Sequence, residues 1–260
     1  MTPGIRAIRR RVRMAGRGVL TGLPPQAREL ALSLTTRAGH GPTLMPGPPG
    51  GPVLVVAPHP DDEAIGPGAT LARHADDGDD VRVLVLTSGG ATAGGGADVT
   101  AVREAETRRA LRHLGVEATP TFARLPDGGL PEEVDAVAQL ITDHGRDVAT
   151  VYVPSPLDPH PDPRAAVDGL VASDLGDDVV VFGYEVWAPG PVTVLVDVVE
   201  VFARKQAALA EYRTALQTVD YVRSASGLAA YRSASGTLGG RGFAEGFLAL
   251  PLGEYRALLR

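Results

Sequence analysis

Val53-Leu54-Val55-Val56-Ala57-Pro58-His59-Pro60-Asp61-Asp62-Glu63 passes from five apolar residues straight into two prolines, one imidazole and three carboxylates. The apolar run is too short for a helix and rich in β-branched residues, so it reads as a buried parallel strand. Pro58 and Pro60 cannot extend a hydrogen-bonded ladder, and the chain must leave the sheet there. It leaves at the strand's carboxyl end, where open α/β sheets place their ligands. An imidazole among closely spaced carboxylates suits a divalent metal, with one carboxylate left over as a base. A plainer reading has Asp61 and Asp62 capping a helix that begins near Ala64. One carboxylate would suffice for that, and neither His59 nor the prolines would be needed.

Outward from this stretch, strand-like and helix-like segments alternate. Strands are expected at 53–57, 81–87, 121–125, 149–153 and 179–184, with helices at 64–76, 99–114 and 132–144. Val99, Val102, Ala110, Leu111 and Leu114 fall roughly on one face of the helix at 99–114. The alternation predicts an α/β fold: a Rossmann-like, doubly wound, mainly parallel sheet with helices on both faces. The glycine-rich loop at 88–96 follows the second strand and reads either as a surface connection or as a border of the site. It lacks the spacing of a phosphate-binding fingerprint. Residues 198–218 read as one long helix, and the repeat Arg-Ser-Ala-Ser-Gly at 223–227 and 232–236 as helix-end chemistry.

The 260 residues, 44% apolar and 22% charged, are ordinary for a globular chain able to bury a sizeable core. The lack of cysteine excludes disulfides, thiolate metal sites and cysteine nucleophiles, and fits a reducing, cytoplasmic setting. No apolar run is long enough to span a membrane, and no signal peptide is expected. Residues 1–48 hold eight arginines against Glu29 alone; that +7 within a total of −6 leaves −13 for the rest. Such a basic arm could touch an anionic membrane surface. It contains no Phe, Tyr or Trp to stack bases, so nucleic acid is not an expected partner. The segment Pro-Gly-Pro-Pro-Gly-Gly-Pro at 46–52 punctuates the chain, and the expected division is a basic extension and linker at 1–51 and an α/β domain at 52–260.

The strand followed by Pro58-His59-Pro60-Asp61-Asp62-Glu63 resembles the signature of the LmbE-like, or PIG-L, de-N-acetylase family. Leu86-Thr87-Ser88-Gly89, Arg103-Glu104, Leu125-Pro126-Asp127-Gly128, the stretch Pro154 to Asp162, Tyr184-Glu185-Val186-Trp187 and Phe243 to Phe247 resemble it too, in the same order. The likeness spans about residues 52–258. It implies a zinc-dependent hydrolase that removes acetyl groups from N-acetylated amino sugars, a small-molecule substrate. It further implies His59 and Asp62 as ligands of Zn2+ or another divalent metal, and Asp61 as general base. The family's second motif reads His-Pro-Asp-His; here it is His160-Pro161-Asp162-Pro163, and the expected third ligand is a proline.

Three consequences stay open at this point. His160 swings in as third ligand, with Asp158 or water helping; or the metal is held weakly through His59, Asp62 and a carboxylate such as Asp162; or the metal is lost and the fold serves to bind a sugar or a protein. Under the hydrolytic reading, Asp61 takes a proton from water and returns it to the departing amine, while His160 stabilises the oxyanion. His160 cannot be both oxyanion donor and ligand. Arg103 and Asp127 are candidates for holding sugar hydroxyls, against plainer readings as a helix-surface charge and a turn former. Trp187, the one tryptophan, reads as core packing, and His74, His113 and His144 as exposed helix positions without a role. Asp162 is expected to cap a helix whose first turn holds Pro163.

Overall fold

The computed structural model describes residues 41–90, 97–235 and 238–259. The arginine-rich stretch at 1–40 and residues 91–96 of the glycine-rich loop lie outside the described residues.

All five expected strands form: β2 (Val53–Ala57), β3 (Val81–Thr87), β4 (Thr121–Leu125), β5 (Thr150–Pro154) and β6 (Val180–Tyr184). Three more complete the sheet: β1 (Thr43–Met45), β7 (Val194–Asp197) and β8 (Ala244–Pro251). The order is β1-β7-β8-β6-β5-β2-β3-β4. β8 runs antiparallel to β6 and β7, and the other pairs are parallel. The expected doubly wound, mainly parallel sheet is therefore present. β1 pairs with β7 from Thr43↔Val194 to Met45↔Val196, so the sheet draws on residues ahead of the Pro/Gly segment.

Every residue of β2 is fully buried, because both faces are covered. Val53, Val55 and Ala57 join a core with α2 (Gly68–Asp76), α3 (Ala97–Leu114) and α6 (Phe202–Leu209). Leu54 and Val56 face α4 (Val134–His144), α5 (Pro161–Ala172) and α9 (Leu252–Leu259). From β2 the chain winds outward through β3 and β4, then returns to place β5 on the other side of β2. The carboxyl ends of β2 and β5 thus meet at the switch point where such sheets leave a crevice.

Several helices differ from expectation, each for a physical reason. The helix expected at 64–76 is divided into α1 (Asp62–Ile65) and α2. Between them Gly66 lies so close to the Tyr184 ring that an added Cβ would come within 2.2 Å of it. The long helix expected at 198–218 is a 3-10 turn, α6 and a short α7 (Arg213–Leu216). The chain breaks at 210–212 to turn Tyr212 inward, where its hydroxyl donates to Glu63. The first Arg-Ser-Ala-Ser-Gly copy lies inside α8 (Tyr221–Arg232), so only the second marks a helix end.

Lys205 is the sole lysine and is 2% exposed. Its Nζ donates to Ile65 O (2.7 Å), Gly66 O (2.9 Å) and Glu245 Oε1 (2.5 Å). The Glu245 carboxylate also accepts from the Ala69 and Thr70 amides at the start of α2, as a helix N-terminus favours. A buried cation needs such full pairing. His74 corrects another expectation, being fully buried rather than exposed. Its Nδ1 meets Asp79 Oδ2 at 2.7 Å and its Nε2 meets Tyr152 Oη at 2.8 Å. Burial lowers its pKa, favouring the neutral ring. Among the described residues no helix is long and apolar enough to cross a membrane.

Candidate active site

β2 ends at Ala57, and the next turn delivers His59, Asp61 and Asp62 into the crevice. The Asp62 carboxylate Oδ2 accepts from the His59 amide at 2.9 Å and faces its Nδ1 at 3.2 Å. The other ring nitrogen, Nε2, lies 3.0 Å from Asp162 Oδ2 and 3.3 Å from Asp127 Oδ1. Burial opposes charge on His59, but hydrogen bonds to Asp127, Asp162 and Asp62 hold its pKa well above the ordinary value. A site that so favours a positive charge also favours a divalent cation.

Asp61 sits at φ +130°, a region that side-chain-bearing residues rarely adopt. It precedes α1 as the capping position, yet its side chain makes no capping hydrogen bond. The capping reading fails for Asp61, and its carboxylate instead meets Arg103 Nη2 at 3.3 Å. Burial first, and Asp62 next, push the Asp61 pKa well up; Arg103 and His59 pull against them. Arg103 comes from α3 and is 5% exposed. Its remaining bonds go to Gly89 O (2.5 Å) and Pro60 O (2.8 Å). Its guanidinium is thus set against Asp61 rather than open to a sugar, and it is not the surface charge of the plainer reading.

The loop after β5 supplies the other wall. His160, not Asp162, caps α5: its Nδ1 accepts from the Asp162 amide at 3.2 Å. Asp162 lies in the first turn, fully buried, and accepts from the Gly128 (2.7 Å) and Leu130 (3.1 Å) amides as well as His59. Burial works against its charge, yet His59 and those amides more than offset it and hold the carboxyl below its usual range. Pro163 follows in the same turn, where a helix has no acceptor for an N–H. His160 and His59 meet edge to face at 5.1 Å. Among the described residues, His59, His160 and Asp162 each offer one donor atom within 4.8 Å of the others.

Both His59 nitrogens face carboxylates, which favours the doubly protonated ring; a metal taken up at Nδ1, beside Asp62, would displace that proton while Nε2 keeps its bond to Asp162. His160 Nδ1 accepts a backbone N–H, so its Nε2 is the donor. Among the described residues the donor atoms close enough to share a divalent ion are those of His59, His160 and Asp162, and position 163 adds none.

Two groups escaped the sequence reading, Glu63 and Tyr212. Glu63 is fully buried against Tyr212, its Oε2 accepts from the Asp61 amide at 3.2 Å, and burial pushes its pKa to about 7. Asp158, expected to help a metal, instead accepts from the His160 (3.0 Å) and Trp187 (3.3 Å) amides and braces that loop. Trp187 is 48% exposed rather than in the core and lies parallel to His160 at 6.0 Å. The acidic cluster in Pro58 to Glu63 was the only signal for Glu63; the places of Tyr212 and Trp187 needed the tertiary fold.

The family described as PIG-L, GlcNAc-PI de-N-acetylase, matches residues 54–172, which include every site residue named above except Tyr212 and Trp187. The chain belongs to the PIG-L family. It is 34% identical over 141 residues to the 1D-myo-inositol 2-acetamido-2-deoxy-alpha-D-glucopyranoside deacetylase of Mycobacteroides abscessus, covering 42% of this chain and 50% of that protein. It is 35% identical over 122 residues to the diacetylchitobiose deacetylase of Thermococcus kodakarensis, covering 44% and 45%. The chain spans about half the length of these curated relatives. A solved structure of a conserved protein from Thermus thermophilus superposes with a TM-score of 0.63 at 30% identity, covering 76% of this chain and 94% of that one. The PIG-L fold thus accounts for the sheet and for the crevice at its switch point.

Proposed function

We propose that the protein is a hydrolase that removes the acetyl group from an N-acetylated amino sugar or its glycoside. One observation carries this: His59, Asp61, Asp62 and His160 converge where β2 and β5 end, with Asp61 held off the normal backbone map by its neighbours. His59 and Asp62 would hold a divalent metal such as Zn2+, with Asp162 and Asp127 fixing the His59 ring from behind. When bound, that ion supplies Lewis acidity, easing deprotonation of water and polarising an amide carbonyl.

Asp61 accepts the proton of the attacking water; burial raises its pKa, which strengthens the carboxylate as a base. Arg103 keeps that carboxylate aimed and anionic, a role we assign it in place of a sugar contact. His160, donating through Nε2–H, stabilises the developing oxyanion. Asp61 then returns the proton to the amine as the C–N bond breaks, releasing acetate and the free amino sugar. Asp127 shares its carboxylate with His59 Nε2 and is left as the candidate to meet a sugar hydroxyl with its second oxygen.

Acetate release from N-acetylglucosamine and its glycosides, measured with zinc, manganese or cobalt supplied, tests the proposal. Saturable release that falls about 10²–10⁴-fold in Asp61→Asn supports it. Pro163 favours a second reading, a sugar-binding protein without turnover, because a catalytic zinc normally takes three protein ligands. No release with any of the three metals would leave that reading in place.

A further inference from the structure

A cavity of about 210 Å³ opens between β8, α8 and the loop after β6. Four charged residues reach its wall, and they form two closed pairs. Arg232 binds the Glu185 carboxylate with two nitrogens, and Lys205 binds Glu245 at 2.5 Å. With these charges mutually satisfied, the cavity presents no net charge to a ligand. What remains is Ile65, Val186, Pro189, Leu228 and the small face of α8 at Ala225 and Ala229.

Trp187 joins this cavity to the candidate active site. It lines the cavity, lies parallel to His160 at 6.0 Å, and is met edge-on by Tyr221 at 6.4 Å. A large aromatic that is 48% exposed beside a concave wall of mixed polar and apolar groups is a binding feature more than a packing one. The volume gives room for one ring with a small substituent.

We propose that this cavity is the subsite for an uncharged aromatic aglycone of the substrate, with Trp187 as its specificity-determining residue. The inference rests on the deacetylase reading for the identity of the attached sugar, but its test does not depend on turnover. Trp187 is the only tryptophan, so tryptophan-selective emission reports on the junction of this cavity with the His160 side of the active site. Phenyl N-acetyl-β-glucosaminide should change the emission saturably, with a midpoint at least tenfold below that of the methyl glycoside. Ser224→Phe, a change at an exposed position on the rim, should raise the phenyl midpoint at least fivefold. Equal midpoints for the two glycosides, or no emission change with either, would overturn the subsite even if acetate is released. A phenyl preference without acetate release would uphold the subsite and sink the hydrolase.

Discussion

The His59 ring stands between two carboxylates of opposite duty, Asp62 at its Nδ1 and Asp162, 3.0 Å from its Nε2. Asp162 is itself pinned by two backbone amides, so it fixes the ring's orientation. Asp162→Asn is expected to weaken metal binding by about 10–100-fold while leaving the fold intact. Competition with a chelating dye measures it, and unchanged affinity would show that the metal is not read through Nδ1.

Pro163 is the position where a donor is missing. Pro163→His puts an imidazole within the first turn of α5, beside the cluster, where the helix tolerates it. Metal should then survive dialysis at one equivalent per chain, with affinity up at least ~10-fold. An unchanged affinity would mean that His160 or Asp162 already completes the coordination.

Asp61 pairs backbone strain with buried charge. Asp61→Gly and Asp61→Ala both delete the carboxylate and should both abolish acetate release. Only glycine relaxes φ +130° without steric cost, so the glycine variant should be the more stable by about 1–3 kcal/mol in urea unfolding. Equal stabilities would remove the claim of strain.

His74 sets an acid limit on the fold. Its pKa is lowered by burial, so the unfolded chain binds more protons than the folded one below the ordinary value of 6.5. The stability it contributes is complete above that value and drains as pH falls toward its folded pKa. Between pH 7.5 and 5.5 the parent should lose more unfolding free energy than His74→Gln does. Parallel losses would show that other groups govern the acid response.

β1 makes a sharper test of where the folded body begins than composition does. A chain starting at residue 41 keeps the β1–β7 pairing, whereas one starting at 47 loses it and exposes β7 as an edge. The shorter chain should melt roughly 2–6 °C lower, corresponding to ~1–2 kcal/mol. Equal melting temperatures would mean that β1 adds nothing.

Strands β2, β3, β5 and β6 were legible because each is a short apolar run, rich in β-branched residues and buried on both faces, a pattern that needs no partner to be seen; β4, only partly buried at the sheet edge, was legible from its place in the alternation. β1, with three residues, and β8, broken by Gly246 and ending at Pro251, carry no such run; the sheet recruits them through β7. His59, Asp61, Asp62, Asp127 and His160 could be singled out in the sequence because sharp turns at strand ends leave a compositional trace, and the fold brings those turns to one crevice. The site's internal assignment was not legible. That Arg103 turns in to Asp61, or that His160 rather than Asp162 caps α5, depends on the distance between elements far apart in sequence. His74 shows the same limit, since its hidden partner Tyr152 is 78 residues away.

The enclosure of Lys205 reaches beyond stability. Reagents directed at primary amines meet no accessible lysine on the described surface, since the one lysine is locked between α6, the Ile65–Gly66 turn and β8. Acylating probes that react with Lys205 would therefore report the opening of that seam, making the ε-amine a built-in clock for local unfolding.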